Sequence, residues 1–143
     1  MQGLSDLVQA FAQLKKQASG APARKVTAAG AAVVKKAIKQ RAAQQPTLAD
    51  APFVREGKLV QPGAIARAVI SKYIAESGAA SKHIVAIASN PGNGHIGQVA
   101  KYLEFGTVKM PPKPFVRPAV QASAGAAVAA MQAALEANFK GRA

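Results

Sequence analysis

Val69-Ile70-Ser71-Lys72-Tyr73-Ile74-Ala75 and His83-Ile84-Val85-Ala86-Ile87-Ala88-Ser89 are the stretches that decide the fold. The first is β-branched and aromatic at Val69, Ile70, Tyr73 and Ile74. The second alternates around Val85 and Ile87, so both read as strands. Glu76-Ser77-Gly78-Ala79-Ala80 between them reads as a hairpin loop, and Asn90-Pro91-Gly92-Asn93-Gly94 stops the second strand. Everything outside this hairpin has helical spacing or loop composition, so the sheet is expected to be small and antiparallel.

Upstream, Leu4, Leu7, Val8, Phe11 and Leu14 fall at helical spacing. Ser5 and Asp6 sit where a cap and a first-turn acid belong, and Lys15 and Lys16 where a last turn favours cations. Gly20 and Pro22 break this first helix. A second helix is expected from about Ala23 to Gln44, with Val26, Ala29, Gly30, Val33, Ala37 and Ile38 as its apolar stripe. Small residues at Ala28, Gly30, Ala31 and Ala32 permit close approach by a neighbour, and Lys25, Lys35, Lys36, Lys39 and Arg41 cover the rest. From Gln45 to Gly63 the chain reads as a long loop or arm with a short extended piece near Phe53–Val60. Downstream, a short helix is expected over Gly97–Glu104 and a proline-stiffened loop over Gly106–Pro114. A long alanine-rich helix then runs from Val116 or Arg117 to Phe139, with Val120, Ala124, Ala127, Val128, Met131, Leu135 and Phe139 as its stripe. The order makes a single α+β domain over residues 1–143: two N-terminal helices, an antiparallel sheet built on a β-hairpin, and a long C-terminal helix.

Composition limits the function. The chain has 143 residues, 50% of them hydrophobic and only 5% aromatic, and alanine supplies roughly a quarter. Without cysteine there is no disulfide framework, zinc-thiolate site or thiol nucleophile. No apolar run approaches the roughly 18–20 residues of a membrane span. Met1–Ser5 lacks the basic start and apolar core of a secretory signal. A soluble protein made in the cytoplasm, with no membrane partner, is expected.

The residues for catalysis are sparse. Gly92-Asn93-Gly94-His95-Ile96-Gly97 has the spacing of a dinucleotide-binding loop. That motif works only inside a βαβ unit with an acid about 20 residues onward to hold the ribose, and the nearby acid, Glu104, is too close. His83 and His95 have no carboxylate at metal-ligand spacing. No serine sits in a G-x-S-x-G context. With six Asp+Glu spread singly, paired-carboxylate chemistry has no seat. No enzyme, metal site or cofactor is expected.

Nineteen Lys+Arg give a net charge of +13. Such a surplus fits nucleic-acid binding, docking onto acidic protein neighbours, or a solvated face that keeps an alanine-rich chain soluble. The basic residues are dispersed, concentrating only on the second helix and on more than one side of it.

The most distinctive stretch is Tyr102-Leu103-Glu104-Phe105-Gly106-Thr107, followed by Met110-Pro111-Pro112-Lys113-Pro114-Phe115-Val116-Arg117-Pro118-Ala119. It reads as a helix end, a glycine release, a stiff loop and the start of the last helix. Pro118 suits that helix's first turn, where a missing N–H costs nothing. Phe105 and Phe115 are expected to anchor the loop to the core, and Glu104 to pair with Arg117 across it.

This pattern resembles the head–tail joining and minor tail components of long-tailed double-stranded DNA phages, the family that includes minor tail protein Z. Its members carry a Tyr-Ala-x-x-Val-Glu-Phe-Gly-Thr type box and a Pro-Phe-Leu-Arg-Pro-Ala type box. Here the first corresponds to Tyr102, Glu104, Phe105, Gly106 and Thr107, with altered spacing around the tyrosine. The second corresponds to Pro114, Phe115, Arg117 and Pro118, nearly intact. A third, Thr-Gly-x-Leu-Arg-x-Ser-Ile type box is matched only weakly by Pro62–Val69.

The resemblance implies a structural virion protein made in the host cytoplasm. It would be a tail-completion or tail-terminator subunit, usually one of a ring of six, standing in the neck between head connector or stopper and tail tube. It implies no cofactor. The arms of such subunits make inter-subunit contacts, which would place Gln45–Gly63 and Gly106–Pro114 at the ring interface, with Phe53, Arg55, Lys58, Lys109 and Lys113 as contact residues. Non-specific contact with DNA in transit stays open. The alternative is a small basic DNA-binding protein.

Overall fold

The computed structural model describes residues 8–9, 12, 20–44, 53–55, 58–75, 81–89 and 95–141. The first expected helix lies outside these residues except for Val8, Gln9 and Ala12, which are helical. The described elements are α1 (Ala21–Ala43), β1 (Phe53–Arg55), β2 (Lys58–Val60), α2 (Ala64–Ala68), β3 (Val69–Ala75), β4 (Ser81–Ile87), α3 (Ile96–Phe105) and α4 (Val116–Lys140). Mixed helix and antiparallel strand is the α+β class expected.

α1 and α4 form the most extensive helix pair, and α1 also packs on both strands of the β3–β4 ribbon. The helices approach closely at Gly30 on α1, where a Cβ would overlap the Met131 side chain. The small residues of α1 therefore do allow close approach, and the group that fills the space is a thioether. Full burial on α1 falls on Gly30, Ala31, Ile38 and Ala42, while Val26, Ala29, Val33 and Ala37 are half-buried.

The expected stripe of α4 holds at Ala127 and Met131 and is corrected elsewhere. Its buried positions are Ala119, Ser123 and Ala127, whereas Val120, Val128, Leu135 and Phe139 are exposed. Small side chains take most of the contact because the helices approach closely, with Met131 as the one large side chain seated against Gly30.

β3 and β4 pair antiparallel from Val69↔Ile87 to Ala75↔Ser81. β4 begins two residues earlier than expected, since pairing continues until Ala75 is matched, and Ala88 N–H extends it by donating to the Ala68 carbonyl at 2.8 Å. On β4, Ser81, His83, Val85 and Ile87 lie toward α1, and Lys82, Ile84 and Ala86 toward solvent. The expected extended piece of the arm is a second two-stranded hairpin, Phe53↔Val60 to Arg55↔Lys58. α2, a single helical turn, was not foreseen. It starts at Gly63 in the left-handed region (φ 73°), and Arg67 closes it by donating to the carbonyls of Pro62 (2.7 Å) and Gln61 (3.3 Å).

The core joins Ile38, Ala42, Ile65, Val69, Ile96, Ala100, Leu103, Phe115 and Ala119. Phe115 and Ile96 are 1% exposed, so the second motif box is anchored in the centre of the domain. Each such side chain contributes about 1.5–3 kcal/mol by leaving water.

Candidate functional site

The two boxes that carry the family resemblance meet at one carboxylate. Glu104 lies in the last turn of α3, on the same buried face as Ile96, Ala100 and Leu103. Its Oε2 accepts the backbone N–H groups of Phe115 (2.8 Å) and Val116 (2.9 Å), and its Oε1 accepts that of Arg117 (3.0 Å). These are the first donors of α4, and no side chain of its own N-cap residue serves them. Pro118 comes next and has no N–H to satisfy. A helix N-terminus carries partial positive charge, so a buried anion belongs there.

Burial pushes the Glu104 carboxyl up, but the N–H groups of Val116, Arg117 and Phe115, with the Arg117 charge, outweigh it. The group is therefore held below its ordinary value and stays ionised. The expected pairing with Arg117 is present at 3.9 Å from Nε to Oε1, with the arginine largely exposed. It is the weaker part of the joint, because the backbone donors are closer and less solvated.

Phe105 corrects an expectation. It is 59% exposed and does not anchor the loop to the core. On α3 it points about half a turn away from Ile96, and its ring lies beneath the Arg117 guanidinium, 5.0 Å from the centroid. Tyr102 is also exposed. Gly106 leaves the helix at φ 76°, where a Cβ would stand 2.9 Å from the Met110 carbonyl oxygen and the Pro112 nitrogen. Thr107 and Met110 then exchange backbone hydrogen bonds of 2.9 and 3.2 Å, and the Lys113 N–H donates to the Leu103 carbonyl at 2.7 Å. The loop is thus folded back against α3, with Val108, Lys109, Lys113 and Pro114 outward.

Beside this joint lies a cleft of about 360 Å3 lined by Ile38, Val69, Ile87, Ala100, Phe105 and Val116, with Lys101 and Arg117 among its walls. Gly97, the last glycine of the glycine-rich stretch, has a packing reason: a Cβ there would meet the Ser89 Cβ at 2.5 Å and the Ile87 carbonyl oxygen at 3.2 Å. It is a packing glycine where α3 crosses the end of β4. Gly92 and Gly94 lie outside the described residues, as does most of the arm. Phe53, Arg55 and Lys58 are described in backbone only, within the β1–β2 hairpin, which packs extensively onto no other element among the described residues.

A second polar cluster, with no signature in the sequence, lies between α1 and the ribbon. The Thr27 hydroxyl lies 2.8 Å from His83 Nδ1 and 3.3 Å from Ser81 Oγ. The His83 ring tilts against Tyr73 at 5.3 Å, and Arg24 stands over Tyr73 at 4.5 Å. Alternation along β4 places Ser81 and His83 on one face, but nothing in the sequence names Thr27 as their partner. The cluster stitches helix to hairpin. His95 sits elsewhere, as the left-handed residue (φ 54°) that opens α3. Among the described residues, no three groups of metal-binding type converge, and no helix is long and apolar enough to cross a membrane.

No family model, curated protein or solved structure matches the chain. The geometry of the Glu104 joint, its exposed aromatic neighbours and the adjoining cleft therefore carry the functional reading.

Proposed function

We propose that the chain is a structural subunit of a phage neck, a ring-forming protein of tail-completion or tail-terminator type that closes the tail tube and joins it to the head connector. The observation that carries this reading is the Glu104 joint. The two boxes resembling the phage family are separated by a loop in sequence but form one unit in space, with Glu104 of the first box capping the helix begun by the second. The joint holds a stiff loop and two exposed aromatics, Tyr102 and Phe105, on a rigid base, which suits a docking surface more than a reaction centre.

On this reading the protein acts by assembly and uses neither cofactor nor metal. Its ring partners are further copies of itself, probed by the arm at 45–63 and the loop at 106–114, and its axial partners are the head connector or stopper and the tail tube. The +13 charge favours acidic neighbours and tolerates DNA passing through.

The test is light scattering and negative-stain electron microscopy of the purified protein, alone and with the tail-tube protein that this reading makes its partner. Closed rings of uniform mass are the expected result. A monomer that ignores the tube protein but binds duplex at about 50 mM salt, and releases it steeply by about 200 mM, would replace this reading with the DNA-binding one.

A further inference from the structure

We infer that copies of this chain join head to tail, the outward face of α4 in one copy lying on the solvent side of the β3–β4 ribbon in the next. The contact goes beyond the ring reading and rests on it only for closure.

Both faces carry exposed apolar side chains with no cover among the described residues, and the ribbon's face also carries Lys72 and Lys82. On α4, Val120, Val128, Leu135 and Phe139 fall within about 100° of arc, flanking the Met131 contact with α1, and are 40–54% exposed. On the ribbon, Ile70 and Ile84 point away from α1 and are 41% and 38% exposed. A two-stranded ribbon with one wet apolar face is marginal and gains from a second cover. α1 already shows how a helix seats on this ribbon, from the other side. The dimensions agree: Val120 to Phe139 spans about 29 Å of helix, and seven-residue strands span about 23 Å.

Charge selects the pairing. In a protein of net charge +13, α4 carries no charged residue from Pro118 to Leu135, and Glu136 then flanks the stripe. The ribbon presents Lys72 directly opposite Ile84 and Lys82 opposite Ile74 on the same face. Ribbon on ribbon would bring Lys72 toward its own copy. Helix on helix would leave Ile70 and Ile84 wet in both copies. Only α4 on ribbon covers both faces, and it brings Glu136 of one copy toward Lys72 of the next. Such a contact uses two different patches, so it propagates, into a ring where the rotation closes and into an open chain where it does not.

The test uses the full chain with Val128→Lys on the helix face and Ile84→Lys on the ribbon face, read by sedimentation and light scattering, with circular dichroism reporting the fold. Each variant alone is expected to be a monomer at concentrations where the wild type assembles. An equimolar mixture is expected to stop at a dimer, because one intact helix face and one intact ribbon face remain. Ile84→Thr, which keeps strand propensity, is expected to raise the midpoint concentration for assembly at least tenfold. Wild-type behaviour of either Ile84 variant overturns the inference, as does a folded mixture that stays monomeric or a wild type that never self-associates. Rings that survive both lysine variants overturn the contact and leave the ring reading standing. Open chains broken by both variants uphold the contact and overturn the ring.

Discussion

Glu104 Oε2 accepts the backbone N–H of Phe115 at 2.8 Å, so a side chain at the end of α3 provides the cap at the start of α4. Through this bond and its neighbours at Val116 and Arg117, the loop between the two helices is fixed at both ends. The joint couples local helix energetics to the placement of the exposed surface at Phe105 and Val108.

Glu104→Ala leaves several first-turn donors of α4 without a partner, one of them buried. It is expected to cost about 2–4 kcal/mol of unfolding free energy at pH 7. Glu104→Gln keeps one acceptor oxygen, sets an NH2 donor in place of the other and loses the charge, and should cost less than Glu104→Ala. The folded-state carboxyl lies below its ordinary value, so its stabilisation is present above the unfolded value of about 4.3 and is lost as pH falls through the folded one. Denaturant titrations from pH 7 to pH 2 should show wild type and Glu104→Gln converging in acid. A difference that stays constant over that range would place the role of Glu104 in its shape.

Arg117 tests which half of the joint matters. Its guanidinium is mostly solvent-exposed, 3.9 Å from Glu104 and stacked on an exposed ring. Surface ion pairs and exposed cation–π contacts contribute little each. Arg117→Ala should therefore destabilise by less than about 1 kcal/mol, well short of Glu104→Ala. Chemical denaturation of the two variants side by side measures this. A loss at Arg117 equal to that at Glu104 would mean the ion pair, and not the backbone cap, holds the loop.

What the sequence discloses follows from which interactions leave a compositional trace. β3 was legible because Val69, Ile70, Tyr73 and Ile74 are strand formers, while Ser81 and Lys82 are not, so the start of β4 was misplaced by two residues. α2 escaped because five residues are too few to show a period. The face of α4 was legible only at Ala127 and Met131, because an alanine-rich helix is mildly apolar all round; Ala119 and Ser123 take the other buried places, while Val120, Val128, Leu135 and Phe139 stay exposed. At the joint, Glu104 and Arg117 attract attention as opposite charges. The stronger partners are backbone N–H groups, which every residue but proline has, so the cap has no signature of its own. Phe105 misled because aromatic residues usually mark a core, and here the helix turns it outward.

Gly106→Ala probes the turn that releases the loop. A φ of 76° is costly for any residue with a Cβ, by about 1–2 kcal/mol. The added carbon would also stand 2.9 Å from backbone atoms of Met110 and Pro112, which have little room to yield. The combined loss is expected to exceed about 2 kcal/mol. Thermal unfolding checks it, and limited proteolysis should locate new cleavage between Gly106 and Pro114. An unchanged midpoint would show that the loop can be rebuilt around an ordinary residue.

Two helical glycines should respond with opposite sign. Gly125 on α4 has nothing within 4 Å of an added Cβ, so Gly125→Ala should stabilise by about 0.5–1 kcal/mol through helix propensity alone. Gly30 on α1 has the same propensity to gain, but the Met131 side chain occupies the space. Gly30→Ala should therefore destabilise in the wild-type background and stabilise once Met131→Ala has cleared the site. A double-mutant cycle by denaturant unfolding reads the coupling, expected at about 0.5–3 kcal/mol. Measured at concentrations below assembly, the cycle reports the α1–α4 contact by itself. Additive effects of Gly30→Ala and Met131→Ala would mean that the two helices do not meet at this pair in solution.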